Sequence, residues 1–466
     1  MEEANDIQSN NESIIDLCAD CKTRFGLVVK DANGEPPAKR VRENSVITCC
    51  QACFGLSSKI EEVVAQVETE YRSSGYQSVN TFVLCVSIRS LALLVYQPAI
   101  WHYYLGKDGY ELGHSTPPPT MTIKNYLKAK LSQKLEDVLH LRHSADSPFE
   151  VTVVVDATAP GEVNTLLRSL QDKQQVKKKK MSKEFSLTEI ANLLPNVTAA
   201  ELQQSNLCPP PVITSCDVTV TFYHQPLFIG GRYNKFSREL SQSPWIVDGV
   251  KKTEYSVQEL IVPAVQQKFG CKDIKFSSSG REDSDVKMLS NGRPFLLELS
   301  EPKVGCAGYT THILSEVERT INDSSLDLIR VRNLKSVSKE RTAAIKQGEE
   351  NKRKYYSALV ATTQPITPDQ LCCLNDMKEL VISQKTPIRV LHRRPLIARQ
   401  KTIHSMKTQC INEQHFLLHL CTSAGTYIKE FVHSDFGRTV PSLCSILKQQ
   451  VNIINLDVEE VEMDWP

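Results

Sequence analysis

Two groups of residues in this chain have the types and spacing to do chemistry. The first is a set of thiols. Cys18 and Cys21 form one C-x-x-C, Cys50 and Cys53 form a second, and Cys49 stands beside it. A C-x-x-C turns tightly enough for both sulfurs to meet one metal, and two such pairs supply the four thiolates of a tetrahedral zinc site. Four thiolates leave no open coordination position, so a single zinc ion here would be structural. The competing reading is four buried thiols without metal. Asp16, Asp20 and Lys22 argue against it, because they make the neighbourhood polar. The insert between the pairs contains Pro36-Pro37-Ala38-Lys39-Arg40 and reads as an exposed loop.

The second group is a set of carboxylates in a basic setting. Ser277-Ser-Ser-Gly280-Arg281-Glu282-Asp283-Ser284-Asp285 follows an expected strand. Gly280 permits a tight turn. Glu282, Asp283 and Asp285 are flanked by Arg281, Lys287 and Arg293. Such a cluster can hold a metal, or it can hold one carboxylate ionised beside a cation, as a nucleophile or base. It can also be a salt-bridged surface turn, which composition alone favours.

Elements must position these groups. The chain has 466 residues, is 41% hydrophobic and 23% charged, and carries a net charge of +1. That composition describes a globular protein of two or three domains. Met1–Asn11 is polar and acidic, so no secretory signal is expected, and the cysteines are expected to be reduced. The expected location is nucleus and/or cytoplasm. No run of 18 apolar residues occurs, so no membrane partner is expected. Walker A, G-x-S-x-G, H-E-x-x-H and G-x-G-x-x-G motifs are absent, which excludes the nucleotide, hydride and zinc-hydrolase chemistries that those motifs carry.

Residues 1–53 read as a zinc module, 54–216 as an accessory α/β domain and 217–466 as a mixed-sheet domain. Helices are expected over Ile60–Tyr71, Met121–Arg142, Thr188–Gln203 and Ser256–Phe269. Strands are expected over Thr81–Ile88, Phe149–Asp156, Val218–Tyr223, Leu227–Ile229, Asp273–Ser277, Phe295–Leu299, Lys354–Ala361, Phe416–Cys421 and Val451–Val458. Lys173–Lys183 reads as a basic linker. Residues 351–450 carry 14 Lys plus Arg against 6 acids, which suits a polyanionic partner. His392-Arg393-Arg394-Pro395 is the densest point and reads as a phosphate-binding loop.

Gly280-Arg281-Glu282-Asp283 resembles the G-R-x-D loop of pseudouridine synthases, and Gly425-Thr426-Tyr427-Ile428-Lys429 resembles their G-T-Y-I-R/K strand. A more specific resemblance is to the archaeal and eukaryotic tRNA pseudouridine synthases of the Pus-ten type. It is carried by Gly231–Arg238, Ser243–Gly249, Ser278–Asp283, Asn291–Phe295, Gln384–Pro395, Ala424–Phe431, Phe436–Thr439 and the ending Asp464-Trp465-Pro466, in the family's order. The paired C-x-x-C motifs also match its zinc site.

The resemblance implies an α+β chain: a pseudouridine synthase catalytic domain behind a zinc-binding, THUMP-containing accessory domain. It implies that Asp283 is the nucleophile, that Lys429 pairs with it and that Tyr356, or the adjacent Tyr355, stacks on the target base. Ile428 and Leu447 would line the uracil pocket, with Arg281, Arg293, Arg393 and Arg394 binding RNA. The implied reaction isomerises T-loop uridines of tRNA as a monomer, without guide RNA or organic cofactor. Other structured RNA is a further partner class. A carboxylate can do this by attacking the ring or by assisting glycosidic departure. The alternative is a non-catalytic protein that grips tRNA or other structured RNA on the same fold.

Overall fold

The computed structural model describes residues 17–29, 49–90, 93–97, 100–101, 110–112, 121–157, 167–168, 215–345 and 352–466. The insert around Pro36, the linker Lys173–Lys183 and the helix expected over Thr188–Gln203 lie outside them. The chain divides into two units, Met1–Tyr223 and His224–Pro466.

The N-terminal unit is built on a four-stranded sheet. Strand Thr81–Ile88 alternates half-buried and buried residues along its length, as one face on a core demands. It pairs in parallel with Phe149–Asp156 and with Arg142–His143, and strand Asp217–His224 joins the edge next to Phe149–Asp156. The sequence pattern, with its boundary at 216/217, puts that edge strand in the C-terminal domain. Its hydrogen-bonding partner places it here instead. Helices Ile60–Ser73 and Ile123–Leu139 bury Val63, Val67, Leu127, Leu131 and Leu135. The second begins at Thr122, whose hydroxyl accepts the Asn125 N–H. Cys21, Phe25 and Cys53 belong to the same core as these residues. The cysteine module and the sheet are therefore one folded body, not a domain and an appendage.

The C-terminal unit is a ten-stranded mixed sheet. Along it lie Ile329–Ser336, Leu227–Lys235, Lys287–Ser300, Val451–Val461, Lys354–Thr362, His415–Thr422, Ala398–Asn412, Lys378–Lys385 and Thr439–Val440, with Asp273–Ser278 paired to Lys287–Ser300. Pairing is antiparallel except where Lys287–Met288 meets Asp457–Val458. One core, under helices Val257–Phe269 and Thr311–Ser324, is built on Phe295, Leu297 and Ile261; another, around Phe416, Leu418 and Phe431, lies at the other end of the sheet. The site opens against the second of these cores, whose Val286, Ile428, Leu456 and Val458 line it. Among the described residues no helix is long and apolar enough to cross a membrane.

Candidate active site

Strand Asp273–Ser278 delivers the chain into a turn where Gly280 takes φ +85°. A Cβ there would stand 2.7 Å from the Lys354 ammonium and 3.1 Å from an Arg293 nitrogen, so the position has neither the dihedral nor the room for a side chain. Below the turn, Arg293 donates from Nε to Glu282 at 2.6 Å and from Nη1 to the Ser279 carbonyl at 2.7 Å. Tyr233 donates to the other Glu282 oxygen at 2.8 Å, and Gln242 donates to the Tyr233 hydroxyl and the Gly280 carbonyl. Burial raises the Tyr233 phenol well above its usual range. Lys235 is fully buried and donates to the carbonyls of Asp283, Ser284 and Leu240. That burial pushes it down to about 8, against the opposing pull of Glu282, Asp285 and Asp283. The loop backbone is held from below, leaving the Asp283 side chain free to face outward.

The Asp283 carboxylate is about one-third exposed and meets two cations. Arg389 Nη1 lies 2.9 Å from Oδ2 and Lys429 Nζ lies 3.5 Å from it. Lys429 makes closer contacts to Asp285, at 2.8 and 2.7 Å. Burial works against the Asp285 charge, but Lys429 outweighs it and holds that carboxyl below its ordinary value. Arg389 also donates from Nε to buried Glu430 at 2.7 Å. Burial opposes the Arg389 charge, and the bonds to Glu430 and Asp283 more than offset that opposition. The loop carrying Arg389 follows strand Lys378–Lys385. Lys429 is the second residue of helix Ile428–His433.

The Gly425–Lys429 segment, expected to be a strand, is a turn that runs into that helix. Gly425 takes φ +74°, and the side chain of buried Gln384 clamps the Tyr427 backbone through its N–H and carbonyl, both at 2.9 Å.

These groups enclose a cavity of about 250 Å³ lined by Asp283, Tyr356, Ile428, Lys429, Leu456 and Val458 among others. Tyr356 rises from strand Lys354–Thr362, and burial pushes its phenol up to about 12. Tyr355 is not among the lining residues. Arg281, Arg393 and Arg394 reach the rim and are exposed. Arg293, expected to bind substrate, also reaches the cavity, but its guanidinium is buried under the loop and taken up by Glu282 and Ser279. Leu447, expected in the uracil pocket, is buried in the core on helix Leu443–Leu447 and does not line the cavity. Arg389 was not singled out from sequence. Its sequence signals are membership of the basic stretch 351–450 and of the family-like stretch Gln384–Pro395, neither of which marks it out from its basic neighbours.

In the N-terminal unit, the sulfurs of Cys18, Cys21, Cys50 and Cys53 all lie within 4.8 Å of one another. Cys18 and Cys53 are 3.9 Å apart, close to the edge of about 3.8 Å implied by zinc–sulfur bonds of about 2.3 Å. Hydrogen bonds from Cys21, then Cys50 and Cys53, hold the Cys18 thiol far below its ordinary value. Cys49 is outside this group and packs against Gly55. The donor set and spacing fit one tetrahedral zinc ion.

Known proteins match both units. The family model Pus10, C-terminal, matches residues 228–462, and the family model Eukaryotic Pus10, N-terminal, matches residues 50–221. The tRNA pseudouridine synthase Pus10 of Mus musculus is 38% identical over 99% of this chain and 86% of its own length. The Homo sapiens protein of that name is 37% identical over 91% of this chain and 80% of its own. A putative tRNA pseudouridine synthase Pus10 of Drosophila melanogaster is 33% identical over 93% and 87%. With both models in order along one chain and relatives aligned over nearly all of it, the chain belongs to the Pus10 family.

Proposed function

We propose that this chain is an isomerase that converts T-loop uridines of tRNA to pseudouridine, with Asp283 as nucleophile and without guide RNA. The observation that carries this reading is the Asp283 carboxylate, 2.9 Å from Arg389 and 3.5 Å from Lys429, facing a cavity floored by Tyr356, Ile428 and Val458. Both cations bear on the same oxygen, Oδ2, of a carboxylate that can act as a nucleophile. The reaction breaks the N1–C1′ bond, turns the base and closes a C5–C1′ bond. N1 gains a proton and C5 loses one, so the atoms balance without oxidant or energy source. The Tyr356 phenol stays neutral at working pH and offers a ring face to a uracil that has left its stack. Arg281, Arg393 and Arg394 stand where a polyanion would lie.

The four-cysteine cluster is read as one structural zinc site. The N-terminal unit is read as the THUMP-containing accessory part that helps hold RNA. The test is pseudouridine formation on an unmodified tRNA transcript by wild type and Asp283→Ala. Product from wild type alone, with RNA binding kept in both, is the expected outcome. Product from the mutant would remove Asp283 from the chemistry. Tight binding with no product from either would favour the non-catalytic RNA-binding alternative.

A further inference from the structure

Helix Ile428–His433 begins at the catalytic cavity and ends at a second, larger one. This cavity, about 890 Å³, includes Lys448, Gln450 and Asn452 in its walls, and His433 and Phe436 border it. Phe436 is 94% exposed. A bare phenyl ring in water is not explained by packing, and its backbone is not relaxed either. Ser434, Asp435 and Phe436 take φ of 72°, 46° and 54°, three successive left-handed residues that each carry a Cβ.

The fold holds this turn firmly. The Gly437 amide donates to Ser434 Oγ, Asp435 accepts from the Ile388 amide at 3.2 Å, and Arg438 donates to the Thr386 carbonyl at 2.7 Å. These last two bonds fasten the turn to the loop that carries Arg389, the residue bonded to Asp283. Phe436 therefore stands at a fixed place within a few nucleotides' reach of the nucleophile.

We propose that the Phe436 turn and this cavity form a second nucleotide subsite, which stacks an unpaired base neighbouring the target uridine in substrate RNA. The proposal rests on the function given above. A uridine that leaves its stack deprives its neighbours of a stacking partner. An exposed ring held on a rigid turn replaces that partner for any base, since every base has a π-face. Gln450 and Asn452 supply donors and acceptors to base edges, and exposed Lys448 supplies a cation for a phosphate.

The test uses the full chain carrying Asp283→Ala, which traps the complex, and an RNA hairpin with the target in its loop. The loop bases are replaced one at a time by fluorescent 2-aminopurine. Binding should change the stacking signal at one position near the target, and adding Phe436→Ala should abolish the change there alone. Phe436→Trp should keep it and Phe436→Leu, apolar but not aromatic, should lose it. In the otherwise wild-type enzyme, Phe436→Ala should raise KM roughly 10- to 100-fold with little change in single-turnover rate at saturation. Its melting temperature should hold, since the ring faces water. Identical fluorescence and KM with and without the ring would overturn the proposal. So would a Phe436→Ala effect confined to self-association, which would assign the ring to a contact between copies. The fluorescence arm needs binding only. A site-specific signal in a protein that makes no pseudouridine would therefore overturn the activity and leave the subsite standing.

Discussion

At the residue scale, the Asp283 carboxylate, proposed above as the nucleophile, is served unequally by its two cations. Arg389 reaches both Asp283 and Glu430 because a guanidinium presents several donors in one plane, whereas the Lys429 ammonium is a point charge drawn chiefly to Asp285. Arg389→Ala removes a charge-assisted bond worth roughly 1.5–3 kcal/mol, so kcat should fall on the order of 10- to 100-fold, with KM less affected. Arg389→Lys should recover part of that loss only, since one ammonium does not replace the two-ended contact. Single-turnover rates at saturating enzyme decide it, and equal rates for wild type and Arg389→Ala would show that Lys429 suffices. The Asp283–Arg389 pair was not legible in the sequence. The two residues are 106 positions apart, and Arg389 is one of 14 basic residues in its stretch.

Lys235 gives a pH prediction of its own. It is fully buried and pushed down to about 8, while an unfolded lysine titrates near about 10.4. Between those values the folded state binds fewer protons than the unfolded one, so this group adds stability as pH rises through that window. The full shift corresponds to about 3 kcal/mol. Urea midpoints should therefore gain from this group between about pH 8 and about pH 10.4, and Lys235→Met should lack that gain. Parallel pH curves for the two proteins would mean that Lys235 titrates normally.

At the element scale, the Gly280–Asp283 loop is fixed to the sheet by a buried ion pair. The Glu282 and Arg293 side chains are 0% and 2% exposed, so neither charge has water to fall back on. Breaking one partner leaves the other charged and desolvated, at a cost of about 3–5 kcal/mol. Glu282→Gln should therefore lower unfolding free energy by that order. The double variant Glu282→Gln with Arg293→Met should recover much of it while activity stays low, because the loop has lost its anchor. Urea melts beside turnover assays separate the two effects, and additive losses in the double variant would deny the coupling.

Elements whose residues carry a clear period were legible. The alternation in Thr81–Ile88 and the apolar run of Phe149–Asp156 gave their strands directly. Ala398–Asn412 and Lys378–Lys385 were missed because their exposed faces and interleaved polar residues dilute the period. A strand at Gly425–Lys429 is expected only through the resemblance to the G-T-Y-I-R/K motif, and the chain there turns into helix Ile428–His433. What decides the local structure there is the Gln384 clamp on Tyr427, a contact that begins 43 residues away.

At the scale of the whole molecule, each unit has a core of its own, and only the N-terminal one contains the cysteine cluster. Cys21 and Cys53 are each 1% exposed and share that core with Phe25, Val67 and Phe82. A metal that ties Cys18 and Cys21 to Cys50 and Cys53 therefore acts as a staple inside a hydrophobic core, and its binding free energy becomes folding free energy of that unit. The pairs themselves were legible in the sequence, but the choice between Cys49 and Cys50 was not, because two adjacent thiols differ only in the direction the turn gives them. The geometry groups the Cys50 sulfur, not the Cys49 sulfur, with those of Cys18, Cys21 and Cys53. Cys49→Ser should therefore retain one zinc per chain by metal analysis, and Cys50→Ser should lose it. Calorimetry of Cys50→Ser, or of wild type with chelator, should show the N-terminal transition lowered by ten degrees or more, on the order expected for loss of a structural zinc. The transition of residues 224–466 should keep its midpoint, since none of the four thiols belongs to its cores. Full zinc content in Cys50→Ser would return Cys49 to the ligand set, and an unchanged melt on metal removal would make the cluster four packed thiols.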